Sequence, residues 1–290
     1  MSIKKTVSAL IIIFAICVTS LVSCGSAFRY ANAKQYTKGG ATLNAEIDNL
    51  EIEWIAGKVK IAYHTESTVK FSEESDKALN DNNSLYYWLD GKTLHIKFAR
   101  SGRGNYLNVG KTLTLYLPAG VMIRYADIET VSADVEIGAV AFNNTDIETV
   151  SGDVSVKAAS FAYKAEISTT SGDINATLAS TTNELDIETT SGNVNVISDG
   201  ITDLEVDTTG GKVDIDVKTA PRSVDIETVS GAITLSIPDG SGFTATVAKV
   251  SGSFSCDFSA EHRLGKYIYG NGSGDYSFES VSGNIAIKKK

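Results

Sequence analysis

A short motif, Asp-Ile-Glu-Thr-Val-Ser or a close variant, recurs about every twenty residues through the second half of the chain. The copies, of which the one at Thr246 is degenerate, begin at Asp127, Asp146, Glu166, Asp186, Glu205, Asp225, Thr246 and Ser277. Most continue with Gly, a polar residue and then Val or Ile, as in Ser151–Val156. A period of this length predicts a stacked array, because no unit could bury its own apolar side.

Each repeat is interpreted as two short strands joined at a Ser-Gly corner. Apolar-facing positions alternate at Ile147 and Thr149, then resume with opposite parity at Val154 and Val156. Alternation with period two is typical of strands, and Gly supplies the backbone freedom that a corner requires. We therefore expect an all-β fold, a single-stranded β-helix or β-solenoid with about twenty residues per coil. A right-handed coil is the expected form, although the repeat pattern does not decide the hand.

The segments that flank the regular repeats depart from the motif in informative ways. Leu50–Ile61 fits the repeat frame, with Trp54 at the Thr position, and is interpreted as a first coil with a bulkier interior. Leu85–Phe98 predicts a β-hairpin around Asp90-Gly91 that would serve as a lid. Because the interval from Ser251 to Ser282 is longer than the others, Glu261–Gly274 is predicted to be either a protruding loop or a C-terminal cap.

The N-terminus indicates secretion and lipid anchoring. Lys4 and Lys5 precede the apolar run Val7–Val18, and Leu21–Cys24 then has the form of a bacterial lipobox. The alternative is a transmembrane anchor, but the run is shorter than the roughly 20 apolar residues that a spanning helix needs. We therefore predict lipidation at Cys24 and an extracytoplasmic protein held at the bacterial cell membrane by its N-terminal lipid.

Cysteine usage agrees with this prediction. Cys17 would leave with the signal peptide and Cys24 would carry the lipid, so Cys256 would remain alone. Its place in the repeat is equivalent to the inward-facing Val156. No intramolecular disulfide is expected, and Cys256 is interpreted as a small core residue rather than a nucleophile.

Together these signals predict one folded domain behind a processed leader. The predicted organisation is a signal peptide at 1–23, a flexible tether at 24–40 and a β-solenoid domain at 41–290, the domain being divided into atypical N-terminal coils with a hairpin cap at 41–124, regular repeats at 125–257, and a C-terminal coil and cap at 258–290.

Several of these segments together resemble the bacterial putative-adhesin β-strand-repeat family. The resemblance is carried by Leu50–Ile61, by the proline-terminated strands Leu115–Gly120 and Leu235–Gly240, by the serial Thr-Val-Ser-Gly-Asp-Val units, and by Gly270–Gly272 before Val281–Ile285. It covers about residues 41–290. The resemblance implies a cell-envelope β-helix, associated in some members with envelope-stress systems. It transfers no catalytic or binding motif.

Two columns of acidic residues flank the core Ile of successive repeats and should share one face. They consist of Asp127, Asp146, Glu166, Asp186, Glu205 and Asp225, and of Glu129, Glu148, Glu188, Asp207 and Glu227. One hypothesis is a solvated face that keeps the solenoid soluble. The other is weak binding of divalent cations or a cationic partner, with Asp127, Glu129, Asp146, Glu148, Asp186, Glu188, Asp225 and Glu227 as candidate ligands. The Gly-Gly-x-Gly-x-Asp pattern of calcium-binding solenoids is absent, so no integral metal site and no cofactor are expected.

The sequence gives little support to an enzyme. Because every coil offers carboxylates at the same positions, no pair is distinguished as a general acid and base. His64, His95 and His262 lie in separate segments without ligand spacing, and Arg222 is the only arginine between Asp127 and Asp257. A polysaccharide-active β-helix enzyme is therefore the less favoured alternative.

The resulting hypothesis is a non-catalytic, lipid-anchored envelope solenoid that binds an unknown envelope protein or glycan. Its alternative is a structural or envelope-stress-associated component without a specific ligand. The net charge of −9 argues against nucleic acid and against anionic lipid as primary partners.

Overall fold

The computed structural model describes residues 28–102 and 109–290, and the regular structure of these residues is entirely β. The predicted signal peptide, the lipidation site Cys24 and the start of the predicted tether lie outside the described residues. The strands are β1 (Thr37–Lys38), β2 (Ala41–Leu43), β3 (Asn49–His64), β4 (Val69–Ser75), β5 (Tyr86–Asp90), β6 (Thr93–Lys97), β7 (Lys111–Pro118), β8 (Met122–Ile137), β9 (Ala141–Thr149), β10 (Val154–Thr169), β11 (Ile174–Thr189), β12 (Val194–Gly210), β13 (Val213–Val217), β14 (Ser223–Ser230), β15 (Ile233–Ile237), β16 (Phe243–Ser251), β17 (Phe254–Cys256), β18 (Glu261–Arg263), β19 (Lys266–Tyr269), β20 (Gly274–Ser282) and β21 (Ile285–Lys289).

The middle of the chain forms parallel coils stacked in register. Strand β10 pairs with β11, and β11 pairs with β12, so that Ile167 lies beside Ile187 and Ile187 beside Val206. The same inward column continues through Ile226 of β14. The predicted β-solenoid is therefore confirmed, with successive coils paired at equivalent positions of the repeat.

Inward-facing residues of all coils merge into one continuous core. Ile147, Val154 and Val156 are each at most 1% exposed, whereas Asp153, which directly precedes β10, is exposed. Trp54 pairs with Thr130 in adjacent strands and so occupies the Thr column, as its place in the sequence frame predicts. Its indole N–H donates to the carbonyl oxygen of Lys111 at 3.1 Å.

The Ser-Gly corners depend on a close approach between neighbouring coils. The Gly152 N–H donates to the Thr149 hydroxyl at 2.9 Å, and Gly172 and Thr169 repeat this contact at 3.0 Å. A Cβ added to Gly172 would lie 1.9 Å from the carbonyl oxygen of Gly152. The corner therefore requires Gly because the backbone of the preceding coil occupies the space where a side chain would begin.

At the N-terminal end, the order of coils in space differs from their order in the chain. Strand β3 pairs with β8 on one side and with β6 and β7 on the other. Leu50–Ile61, predicted to be the first coil, is therefore the second in the stack. The outer strands are covered in turn, since β5 pairs antiparallel with β6 along its whole length and β4 with β7. The predicted hairpin around Asp90-Gly91 is thus present as β5 and β6.

At the C-terminal end the last repeat is inserted between two earlier ones. Strand β20 pairs with β14 on one side and with β16 on the other, while β21 lies between β15 and β17. Residues 258–290 include the last repeat of the chain, but in space that repeat lies beneath 243–256, which forms the outermost coil. The reason is visible at Lys249, which occupies the Thr column beside Ser280 and would be buried in an interior coil.

A short hairpin partly closes this end. Strand β18 pairs antiparallel with β19, and β19 pairs antiparallel with Phe243–Thr246 of β16. Phe258 packs edge-to-face against Phe243 with ring centroids 5.3 Å apart. Of the two alternatives for Glu261–Gly274, the structure therefore shows a capping hairpin rather than a free loop.

Candidate functional site: the acidic face

The two predicted acidic columns do lie side by side on one lateral surface of the stack. Asp127 pairs with Asp146, Asp146 with Glu166 and Glu166 with Asp186 along one column. The second column is interrupted once, because Ser168 stands between Glu148 and Glu188. The acidic face is defined here as these two columns, and it brings together all eight candidate ligands Asp127, Glu129, Asp146, Glu148, Asp186, Glu188, Asp225 and Glu227.

Three acids that the sequence reasoning did not include also belong to the acidic face. Glu51 and Glu53 pair with Asp127 and Glu129, and Glu279 pairs with Glu227. The signal was available for the first two, since Leu50–Ile61 fits the repeat frame. The repeat frame also places Glu279 in the second column, whereas only the structure shows that it lies beside Glu227 of β14.

Packing within the ladder perturbs the protonation of these carboxyls. Burial, reinforced by neighbouring carboxylates, raises the pKa of Asp127 to about 6 and that of Glu129 to about 7. The same two causes raise the pKa of Asp146 and of Asp207 to about 7. The pKa is raised in the same direction for Glu148, Asp186, Glu188, Glu205, Asp225 and Glu227. Part of the ladder is therefore protonated near neutral pH.

Lys164 shows how a cation fits this surface. Its Nζ lies 2.7 Å from a carboxylate oxygen of Glu184, 2.9 Å from Asp186 and 3.0 Å from Glu166. Hydrogen bonds to these carboxylates, with that to Glu184 the strongest, raise the pKa of Lys164. A side-chain ammonium of the protein thus neutralises the middle of the acidic face locally.

Basic side chains also lie at the N-terminal limit of the face. Lys97 forms an ion pair with Glu53, and His95 Nδ1 lies 2.7 Å from Glu51 Oε2. These two residues occupy the next positions of the two columns, since His95 pairs with Glu51 and Lys97 with Glu53 in adjacent strands. The acidic ladder therefore ends in basic side chains at this end.

The interruption at Ser168 leaves a shallow depression in the acidic face. Its volume is about 270 Å³, and its walls include Glu148, Glu166, Asp186 and Glu188. The depression exists because serine is shorter than the acid found at this position in neighbouring coils.

The chemistry of the acidic face is that of a diffuse anionic surface. Among residues 28–102 and 109–290, no group of three or more His, Cys, Asp or Glu has an arrangement that could hold a metal ion. The histidines are separate: His64 contacts the Thr68 carbonyl, His95 pairs with Glu51, and His262 stacks on Tyr267. Cation attraction by the ladder as a whole remains a prediction.

Cys256 occupies the inward column, as its repeat position predicts, beside Ile287. It is only half-buried because its coil is the outermost one. Burial raises the pKa of the Cys256 thiol, which disfavours the reactive thiolate.

For the described part of the chain, no helix has both the length and the apolar character needed to cross a bilayer.

The fold and this surface define a class: repetitive β-solenoids with one acidic lateral face. Residues 47–288 match the model of the Toastrack DUF4097 family, and the chain belongs to that family. The resemblance to the putative-adhesin β-strand-repeat family is thereby confirmed.

Three solved structures illustrate the similarity. A putative cell adhesion protein from Clostridium sporogenes has 17% identity and a TM-score of 0.22, covering 88% of this chain and 100% of its own. A putative lipid binding protein from Parabacteroides distasonis has 16% identity and a TM-score of 0.49, covering 88% and 97%. A putative adhesin from Bacteroides fragilis has 13% identity and a TM-score of 0.37, covering 89% and 98%. No curated protein matches the chain.

Proposed function

We propose that this protein is a non-catalytic, lipid-anchored scaffold of the bacterial cell envelope, whose rigid solenoid presents binding surfaces to an envelope protein or glycan. The observation that carries the proposal is the acidic face. Its carboxylates recur at equivalent positions in successive coils, from Asp127 to Asp225, so the surface is extended rather than centred on one reacting group.

A display role accounts better for this surface than catalysis does. Glycoside hydrolysis uses two carboxyls whose environments separate their pKa values. Here burial and like charge raise the pKa of Glu129, Asp146 and Asp207 to about the same value, 7. The shifts of the perturbed ladder carboxyls share one direction and one main cause, burial, and they single out no pair as acid and base.

The lipid anchor is the second part of the proposal and is supported by the lipobox Leu21–Cys24 behind a basic, apolar leader. Stable anchoring requires more than one acyl chain, which modification of an N-terminal cysteine supplies. An anchored solenoid would hold the acidic face outside the cytoplasm, within reach of other envelope components. The structural alternative, an envelope-stress component without a ligand, shares this location.

The anchor is tested by Cys24→Ala, with Cys256→Ala as the matched control. Metabolic labelling with a clickable fatty acid should mark the wild type and Cys256→Ala, and both should fractionate with membranes. Cys24→Ala should take up no label and should retain its leader, seen as a larger mass. Unlabelled, soluble wild-type protein would contradict the anchor.

Binding is tested separately from anchoring. Cross-linking of intact cells that carry the wild-type protein should recover a reproducible partner, and the same cells with the acidic-face carboxyls Glu148, Glu188 and Glu227 changed to Gln should recover less of it. If the same proteins are recovered from control cells that lack this protein, no specific partner has been captured, and the structural alternative is favoured.

A further inference from the structure

The two ends of the solenoid are closed to different degrees. At the N-terminal end, β5 and β4 cover the outer edges of β6 and β7. At the C-terminal end, β19 covers only Phe243–Thr246 of β16. Along Val247–Ser251 and along all of β17, no described strand pairs with the outer edge. The backbone N–H and C=O groups on that edge therefore have no strand partner within the described chain.

The inward-facing side chains beside this edge are only partly covered, because no further coil among the described residues packs on them. Val247, Phe254 and Cys256 lie in inward columns, beside Phe278, Ile285 and Ile287 of the coil beneath, yet each is only half-buried. Phe254 is covered in part by Tyr267 of the capping hairpin, with ring centroids 4.5 Å apart. Val250 is 77% exposed. We define the C-terminal end face as Val247–Ser251 together with Phe254–Cys256. It presents an apolar strip and an open strand edge in the geometry of one more coil.

The charged side chain within the end face, Lys249, is opposite in sign to the acidic face. Lys249 projects from the end face, where its Nζ donates to the Gly252 carbonyl oxygen at 2.8 Å. Lys266 follows on the capping hairpin and Lys288 on the coil beneath, and all three are exposed. Among the described residues, none of the three forms an ion pair with a carboxylate, although most other lysines on the stack do.

We propose that the C-terminal end face binds an extended segment of a partner protein by strand addition, the segment carrying apolar residues at alternate positions and a carboxylate opposite Lys249. Strand addition combines main-chain hydrogen bonds along an open edge with side-chain pockets that select the sequence. In the register of the stack, apolar residues of the segment would cover Val247 and Cys256 and would pack beside Tyr267 at Phe254.

Charge selects a partner segment over a second copy of this chain. Two copies paired antiparallel through Val247–Ser251, the edge on which Lys249 is the central residue, would place Lys249 of one copy opposite Lys249 of the other. Like charges placed opposite each other across paired strands are destabilising. The carboxylates of the acidic face also cannot add as a strand, because their backbones are already paired on both sides. A partner segment with apolar residues and a carboxylate can pair with the open strand edge and form an ion pair with Lys249.

The inference rests on the proposed scaffold role and names the kind of partner that it binds. A suitable probe is the chain's own repeat, a synthetic peptide of residues 226–237, because its register on the end face is known from the stack. Ile226 would lie over Val247, Thr228 over Lys249, and Ile233 over Phe254. Replacing Thr228 of the peptide by Asp supplies the proposed carboxylate, and replacing it by Lys supplies the repulsive counterpart.

The test titrates the three fluorescently labelled peptides with the full chain purified in mild detergent and follows anisotropy. The Asp peptide should bind roughly three- to fivefold more tightly than the Thr peptide, as for an exposed ion pair, and the Lys peptide should bind least. Lys249→Glu should reverse that order. Lys60→Glu, a change at an exposed lysine of β3, should leave it unchanged. Lys249 is exposed, so both variants should melt within a few degrees of the wild type.

Three outcomes would overturn the proposal: no binding of any peptide, equal binding of all three, or binding whose order Lys249→Glu does not change. Sedimentation velocity of the full chain tests the other possible occupant of the end face, a second copy of this chain. Reversible dimerisation that Lys249→Glu alters and Lys60→Glu does not would assign the end face to a second copy and would contradict a partner segment. Fatty-acid labelling at Cys24 and cross-linking through the acidic face are unaffected by these results, so failure of strand addition is distinguishable from failure of the scaffold role.

Discussion

The regular middle of the solenoid and its two ends obey different rules of assembly. From β8 to β15 each coil stacks on the one that precedes it in the chain, and the inward columns are fully buried. At both ends the chain doubles back, so that β3 and β20 are inserted between strands distant from them in sequence. Residues at equivalent repeat positions consequently differ in burial. The contribution of a side chain to the free energy of unfolding therefore depends on the position of its coil in the stack, not on the repeat motif alone.

The largest expected effect is at the core of the middle coils. Val154→Asp would bury a carboxylate without a partner and should lower the free energy of unfolding by several kcal/mol. Asp153→Lys, one residue away on the exposed face, loses the hydrogen bond that Asp153 Oδ1 accepts from the Asp173 N–H at 2.9 Å and should lower it by only about 1 kcal/mol. Chemical denaturation of both variants measures this, and equal midpoints would show that the inward assignment is wrong.

The second prediction compares two side chains at equivalent inward positions, one in a middle coil and one in the outermost coil. Val156 is 1% exposed, whereas Cys256 is half-buried in the outermost coil. Val156→Ala should cost about 1–3 kcal/mol through lost burial and a cavity, and Cys256→Ala less than about 1 kcal/mol. The comparison uses urea denaturation at fixed protein concentration. Equal losses would indicate that the end coil is covered in solution.

The third effect concerns the dependence of stability on pH. Burial and neighbouring carboxylates raise the pKa of Asp146 to about 7 in the folded chain, above its ordinary value near 4. The folded state therefore binds the proton more tightly, and stability falls as pH rises from about 4 to about 7, the full penalty being present above that window. Asp146→Asn should flatten this part of the stability curve, whereas Asp76→Asn, at an exposed position of the N-terminal region, should not. Stability measured from pH 4 to 8 that rises instead would contradict the assignment.

The smallest effect expected is calcium-specific stabilisation of the acidic face. A cation that binds only the folded ladder raises the melting temperature by mass action, whereas screening acts equally for sodium at matched ionic strength. We expect an increase of at most about 2 °C in CaCl₂ over NaCl. It should disappear when Glu148, Glu188 and Glu227 are changed to Gln. Coincident melts of the wild type in the two salts would leave the acidic face as a solvated surface.

The repeat pattern was sufficient to predict the solenoid and most of the acidic face. Alternating Ile, Thr and Val must face one interior, and the residues between them must face outward, whichever coils are neighbours. For that reason the burial of Val154, the place of Trp54 in the Thr column and the alignment of Asp146 with Glu166 all follow from local periodicity.

Only the tertiary structure decided which coils are neighbours at the ends. Any repeat can pair with any other, because strand pairing uses the backbone and the columns are nearly identical, so sequence order alone cannot rank the partners of Ser277–Ser282. The choice is made where side chains differ: Lys249 and Val250 tolerate solvent, while Phe278 and Tyr276 are fully buried and need a coil on each side. Burying the Lys249 ammonium in an interior coil would carry a desolvation cost. The coil with Lys249 therefore lies outermost, and its outer edge forms the open C-terminal end face.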